Sequence, residues 1–121
     1  MAIALLLCDD LLFSSRISGT ARALALDLKT VRSAADLLAL AEAEPPACVL
    51  LDLHQPGLDI AALVPNLKAA GNPFLVGYGS HVDAPTLKAA RDAGCDLVLP
   101  RSKFVELLPE QLALWATSPK R

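Results

Sequence analysis

Aromatic residues make up only 4% of this 121-residue chain, although 54% of it is hydrophobic. Its core must therefore be aliphatic, built from Leu, Ala and Val. At this length such a core needs neither disulfides nor a structural metal. Excess charge is also scarce: 11 basic and 13 acidic residues leave a formal net charge of -2. That supplies neither the basic field of a nucleic-acid-binding chain nor an acidic tail. Cysteine is limited to Cys8, Cys48 and Cys95, an odd number with no CxxC pair, which argues against a disulfide framework. Cys8 and Cys48 lie in or beside apolar runs and read as small buried hydrophobes, as in a reducing cytoplasm. No apolar run approaches the ~18 residues of a membrane span. The opening MAIALLLCDD lacks the basic flank and small-residue cleavage site of a secretory signal. The expectation is a cytoplasmic protein with one domain over residues 1–121.

What is present is an alternation of short apolar runs and helix-like segments. Ile3 to Cys8 and Ala47 to Leu51 are continuously apolar, as in strands buried on both faces. Lys29 to Arg32, Phe74 to Tyr78 and Asp96 to Leu99 are shorter strand candidates. Leu12 to Leu26 carries Phe13, Ile17, Ala21 and Leu24 at near-helical spacing. Ser33 reads as an N-cap before AADLLALAEAE, which Pro45-Pro46 ends. Asp59 to Ala70 is helical in content and stops at Gly71, with Pro65 predicting a kink or a late start. Asp83 caps APTLKAARDA and Gly94 closes it. The final helix is expected after Phe104, beginning near Pro109. Five strand–helix units imply a parallel sheet covered on both faces, with ligands bound beyond the carboxyl ends of its strands.

The residues at those ends carry the chemistry. Asp9 and Asp10 follow the first strand and Asp52 follows the third. If the strand order is 2-1-3-4-5, the three carboxylates share one crevice, where mutual repulsion favours a hard cation such as Mg²⁺. The fourth-strand hydroxyls Tyr78 and Ser80 and the fifth-strand cation Arg101 would face the same crevice. Carboxylate, metal, hydroxyl and cation together suit phosphoryl chemistry. Alone, Asp9 or Asp10 would serve equally well as a helix cap, and Asp59 and Asp83 read as caps only.

Over nearly its whole length the chain resembles the receiver domains of bacterial response regulators. LLLCDDLLFSSRI is similar to their first strand, acidic pair and first helix. VLLDLHQPGLD is similar to their phosphoacceptor strand, and AARDAGCDLVLPRSKF to their approach to the last strand. The resemblance implies an α/β, flavodoxin-like, doubly wound five-stranded parallel sheet of order 2-1-3-4-5 with five flanking helices. It further implies Asp52 as phosphoacceptor, Mg²⁺ held by Asp9, Asp10, Asp52 and the His54 backbone carbonyl, and Ser80 as switch hydroxyl. Arg101, or alternatively Lys103, would be the phosphate-contacting cation. The implied partners are a histidine kinase or phosphotransfer protein and an output protein or a second copy of the chain. Beyond self-phosphorylation and self-dephosphorylation no enzyme activity is implied, nor nucleic-acid or membrane binding.

Several positions depart from that pattern. The usual Lys-Pro pair is absent, with Arg101-Ser102 in its place, and an arginine fork does not replace an ammonium point charge. The fourth-strand hydroxyl position falls on Tyr78 or Gly79 depending on the direction of counting, with Ser80 the nearest small hydroxyl. The fifth-strand aromatic position holds Val98. A phosphate-independent pseudo-receiver, acting as a protein-interaction module, is therefore the alternative, and Arg101 paired with Asp52 or Asp10 would be its inert site. DLHQPG also fits a cobalamin-binding signature, but it follows the third strand and lacks the later elements. His54 stands where a haloacid-dehalogenase-type phosphatase has its second aspartate, so that reading is weak as well.

Overall fold

The computed structural model describes residues 3–117. The two continuous apolar runs form β1 (Ile3–Leu7) and β3 (Cys48–Asp52), each buried along its whole length. They pair side by side at the centre of a five-stranded sheet. β2 (Asp27–Val31) lies outside β1, while β4 (Phe74–Gly79) and β5 (Leu97–Pro100) continue beyond β3. Every pair is parallel, and the order is β2-β1-β3-β4-β5, as expected. β2 is at an edge and alternates between exposed and half-buried residues, which explains its weak apolar pattern. It begins two residues earlier than its sequence suggests.

Strand parity sorts the side chains into two cores. Ile3, Leu5, Leu7, Val49, Leu51 and Leu53 face α2 (Ala34–Ala43), α3 (Ile60–Ala69) and α4 (Ala84–Ala93). Ala4, Leu6, Cys8, Cys48 and Leu50 face α1 (Leu11–Ala23) and α5 (Arg101–Thr117). One further step along each strand sends Asp52 and Tyr78 toward the α1/α5 side. The aromatic residues gather there too. Phe13, Tyr78, Phe104 and Trp115, four of five in the chain, form one stacked group.

The helix starts follow the sequence closely. Asp10, Ser33, Asp59 and Asp83 each accept a hydrogen bond from the backbone N–H three residues on. Ser33→Ala should lower the unfolding free energy by about 1 kcal/mol. In urea titrations this appears as a lower midpoint with unchanged slope.

The final helix departs from expectation. α5 starts at Arg101, directly after β5, rather than near Pro109. Pro109 lies inside it, as Pro65 lies inside α3. Both prolines are exposed, so water can satisfy the carbonyls they leave without a donor. Phe104, Leu108, Leu112 and Trp115 hold one buried stripe through the proline, and that burial outweighs the local penalty. No helix among the described residues is long and apolar enough to cross a membrane.

Candidate functional site

The carboxyl ends of β1, β3 and β4 bring Cys8, Asp52 and Tyr78 together on the α1/α5 side of the sheet. Asp52 is the centre of this group and is only 5% exposed. Its Oδ1 accepts the His54 backbone N–H at 2.9 Å. Its Oδ2 faces the Cys8 thiol at 3.7 Å, and that thiol also lies 3.5 Å from the Asp10 carbonyl. Burial, first of all, raises the Cys8 thiol above its ordinary pKa. Tyr78 sits alongside with its Oη fully buried and without a hydrogen-bond partner among the described residues. Burial followed by the neighbouring Cys8 and Asp52 pushes its phenol far up. Tyr78 is thus a neutral core residue stacked on Phe104, with ring centroids 4.3 Å apart, and not a crevice hydroxyl.

The other two carboxylates each have a partner of their own. Asp9 is exposed and pairs with Arg32, Nε to Oδ1 3.3 Å. Asp10 caps α1 through Oδ1, which accepts the Phe13 N–H at 3.1 Å. Among the described residues, no three acidic, histidine or cysteine side chains are grouped to hold a metal ion. The crowding of three carboxylates expected from the sequence is relieved by the Arg32 pairing and the helix cap. Each of these contacts uses one carboxylate oxygen. Asp10 keeps Oδ2, and Asp52 Oδ2 meets only a weak thiol donor. One or two carboxylates, a backbone carbonyl and several waters are what Mg²⁺ requires, so the donor set suits that ion.

His54 contributes its side chain as well as its backbone. The ring leans from the β3–α3 loop to the β4–α4 loop, where Nε2 accepts the Ser80 backbone N–H at 2.9 Å. In the neutral ring the proton then sits on Nδ1, which lies 3.9 Å from Asp83 Oδ2. Asp83 is held below the usual carboxylate range by its hydrogen bonds from Thr86, and to a smaller extent by His54. Gly79 makes room for this bridge, because a Cβ there would stand 3.0 Å from His54 Nε2. The glycine at the expected hydroxyl position and the histidine two residues after Asp52 are therefore sterically linked. The Ser80 Oγ accepts the Val82 N–H at 3.3 Å.

The cations are also displaced from the expected arrangement. Arg101 lies at the first turn of α5 with its guanidinium carbon 4.8 Å from the centre of the Phe13 ring. That is a cation–π contact. Among the described residues Arg101 forms no ion pair with Asp52 or Asp10. Lys103 points into solvent and pairs with Glu106 at 3.0 Å. Val98 is buried in the core shared with α2, α3 and α4. Phe13, Arg16 and His81, none of them expected from the sequence as site residues, line an open cleft of about 900 Å³ beside this site, together with His54, Ser80 and Arg101. The i, i+3 spacing on α1 is the signal that could have found Phe13 and Arg16.

No family model and no curated protein matches the sequence. Solved structures do match. FixJ-N superposes with a TM-score of 0.82 at 17% identity, over 100% of this chain and 98% of that one. A Francisella response regulator receiver domain gives 0.81 at 16% identity, over 99% and 100% of the two chains. The receiver domain of a sensor histidine kinase from Pseudomonas aeruginosa PAO1, with magnesium coordinated in its active-site cleft, gives 0.77 at 18% identity, over 97% and 98%. The fold of this chain is that of the response regulator receiver domains.

Proposed function

We propose that this chain is a receiver module of two-component signalling that accepts a phosphoryl group on Asp52. The observation that carries this reading is the position of Asp52, at the carboxyl end of the central strand with Asp10 at the end of the neighbouring one. A Mg²⁺ ion held by Asp10, Asp52 and the His54 carbonyl would supply charge neutralisation for the phosphoryl oxygens. Asp52 itself acts as nucleophile: a carboxylate oxygen forms the new P–O bond and the donor's phosphorus bond breaks, its electrons leaving with the donor group. The donor is a cytoplasmic histidine kinase or phosphotransfer protein, and the output is a contact with another protein or with a second copy. Ser80 could serve as switch hydroxyl only by giving up its present bond to the Val82 amide.

A second reading, a phosphate-independent interaction module, has its own support. His54 already occupies the Ser80 amide at the mouth of β4, and Arg101 rests on Phe13 instead of on Asp52. Incubation with Mg²⁺ and acetyl phosphate, followed by intact mass spectrometry, separates the two. The expected result is one phosphoryl adduct that is absent from Asp52→Asn. No adduct, with no heat of Mg²⁺ binding in calorimetry, would establish the second reading.

A further inference from the structure

The open cleft of about 900 Å³ between the start of α5, α1 and the loops after β3 and β4 has a composition that Asp52 chemistry does not require. Its volume falls within the range of small-molecule sites. Arg16, Arg101, His54 and His81 all border it, and no acidic side chain does, although the chain as a whole carries a net charge of -2. Neither arginine is in an ion pair among the described residues, so their charges are available to a ligand. Ser80 and Ser102 add hydroxyl groups at the rim. α5 starts at this cleft, and Pro100 before it has no side-chain acceptor to cap the first amides, which leaves donors for an anion. Phe13 forms an apolar wall whose ring already holds the Arg101 guanidinium. A flat group can lie against such a pair, while charged oxygens meet the two arginines.

We propose that this cleft binds a small phosphate ester carrying a flat ring. The phosphate is held by Arg16 and Arg101, and the ring packs against Phe13. Asp52 itself does not border the cleft, whereas His54, Ser80 and Arg101, expected near the phosphoryl group, do. A bound anion also lies beside the His54–Ser80 bridge and sits over the mouth of β4.

Calorimetric titration of the full chain with phenyl phosphate tests the site, with inorganic phosphate and phenol as comparison ligands. One phenyl phosphate per chain is expected, bound more tightly than inorganic phosphate, and phenol should not bind. Arg16 is exposed, so Arg16→Glu should leave the circular dichroism spectrum unchanged and weaken phenyl phosphate by about tenfold or more. Arg101→Gln should weaken it similarly, whereas Asp52→Asn, which removes a nearby negative charge, should bind as tightly or more tightly. Unaltered affinity in both arginine variants would overturn the proposal, as would equal binding of phenol. Loss of binding in Asp52→Asn would instead assign the anion to the acceptor carboxylate and also overturn it. A failure of acetyl phosphate to modify Asp52 leaves each of these outcomes unchanged.

Discussion

Phe104→Ala should cost about 3–5 kcal/mol of unfolding free energy, the range for truncating a large buried aromatic side chain. For a domain whose whole stability is on the order of 5–15 kcal/mol, that is the largest loss expected from a single truncation here. Phe104 has 0% exposure and lies between Tyr78 at 4.3 Å and Trp115 at 6.1 Å, centroid to centroid. Its removal empties the middle of the only aromatic stack among the described residues and unseats the first turn of α5. Arg101 starts that turn, so the cleft should loosen along with the core. Urea unfolding followed by Trp115 fluorescence reads both effects. A loss below about 1 kcal/mol would mean that the sheet holds α5 without the stack. The same truncation at Phe13, which is half-buried, should cost distinctly less.

Asp52→Asn should move stability in the opposite direction, raising it by about 1–3 kcal/mol. Asp52 is a carboxylate with 5% exposure whose partners are one amide N–H and one thiol. Among the described residues no cation lies within ion-pair distance of it. Burying a charge is expensive unless it is paired and well hydrogen-bonded, and this one has a single strong donor and no cation. Asparagine keeps the oxygen that accepts the His54 N–H and removes the charge. Under the proposed function, the variant that loses the phosphoryl adduct is expected to unfold at higher urea, the trade made by a site kept for chemistry at the expense of stability. A lower urea midpoint for Asp52→Asn would show that the carboxylate is compensated in the folded protein. Mg²⁺ addition should raise the midpoint of the wild type more than that of the variant.

The legible parts of this protein are those set by local pattern. Continuous apolar runs identified β1 and β3, and the short polar side chains before Leu11, Ala34, Ile60 and Ala84 identified four helix starts. Asp52 was placed at the mouth of a central strand because an apolar run ends there and Pro56-Gly57 turns the chain. The start of α5 is not legible locally, because Pro109 by itself favours a helix that begins there. The buried stripe that carries the helix through Pro109 exists only against the sheet. Tyr78 is a related case: its distance in sequence from Asp52 says nothing of hydrogen bonding, whereas strand parity sends both to one face and burial keeps the phenol neutral.

The sequence by itself determined the alternation of strands and helices, the aliphatic core and the carboxylates that follow the first and third strands. Periodicity, capping chemistry and chain breaks act within a few residues, so a single segment contains all that is needed to read them. Only the tertiary structure decided which partner each site residue takes. Asp9 is drawn to Arg32, Arg101 to Phe13, and His54 to Ser80 across the gap that Gly79 leaves. Those choices join residues from different loops and helices, and they are settled by the space and charge that packing brings together. No spacing along the chain encodes them.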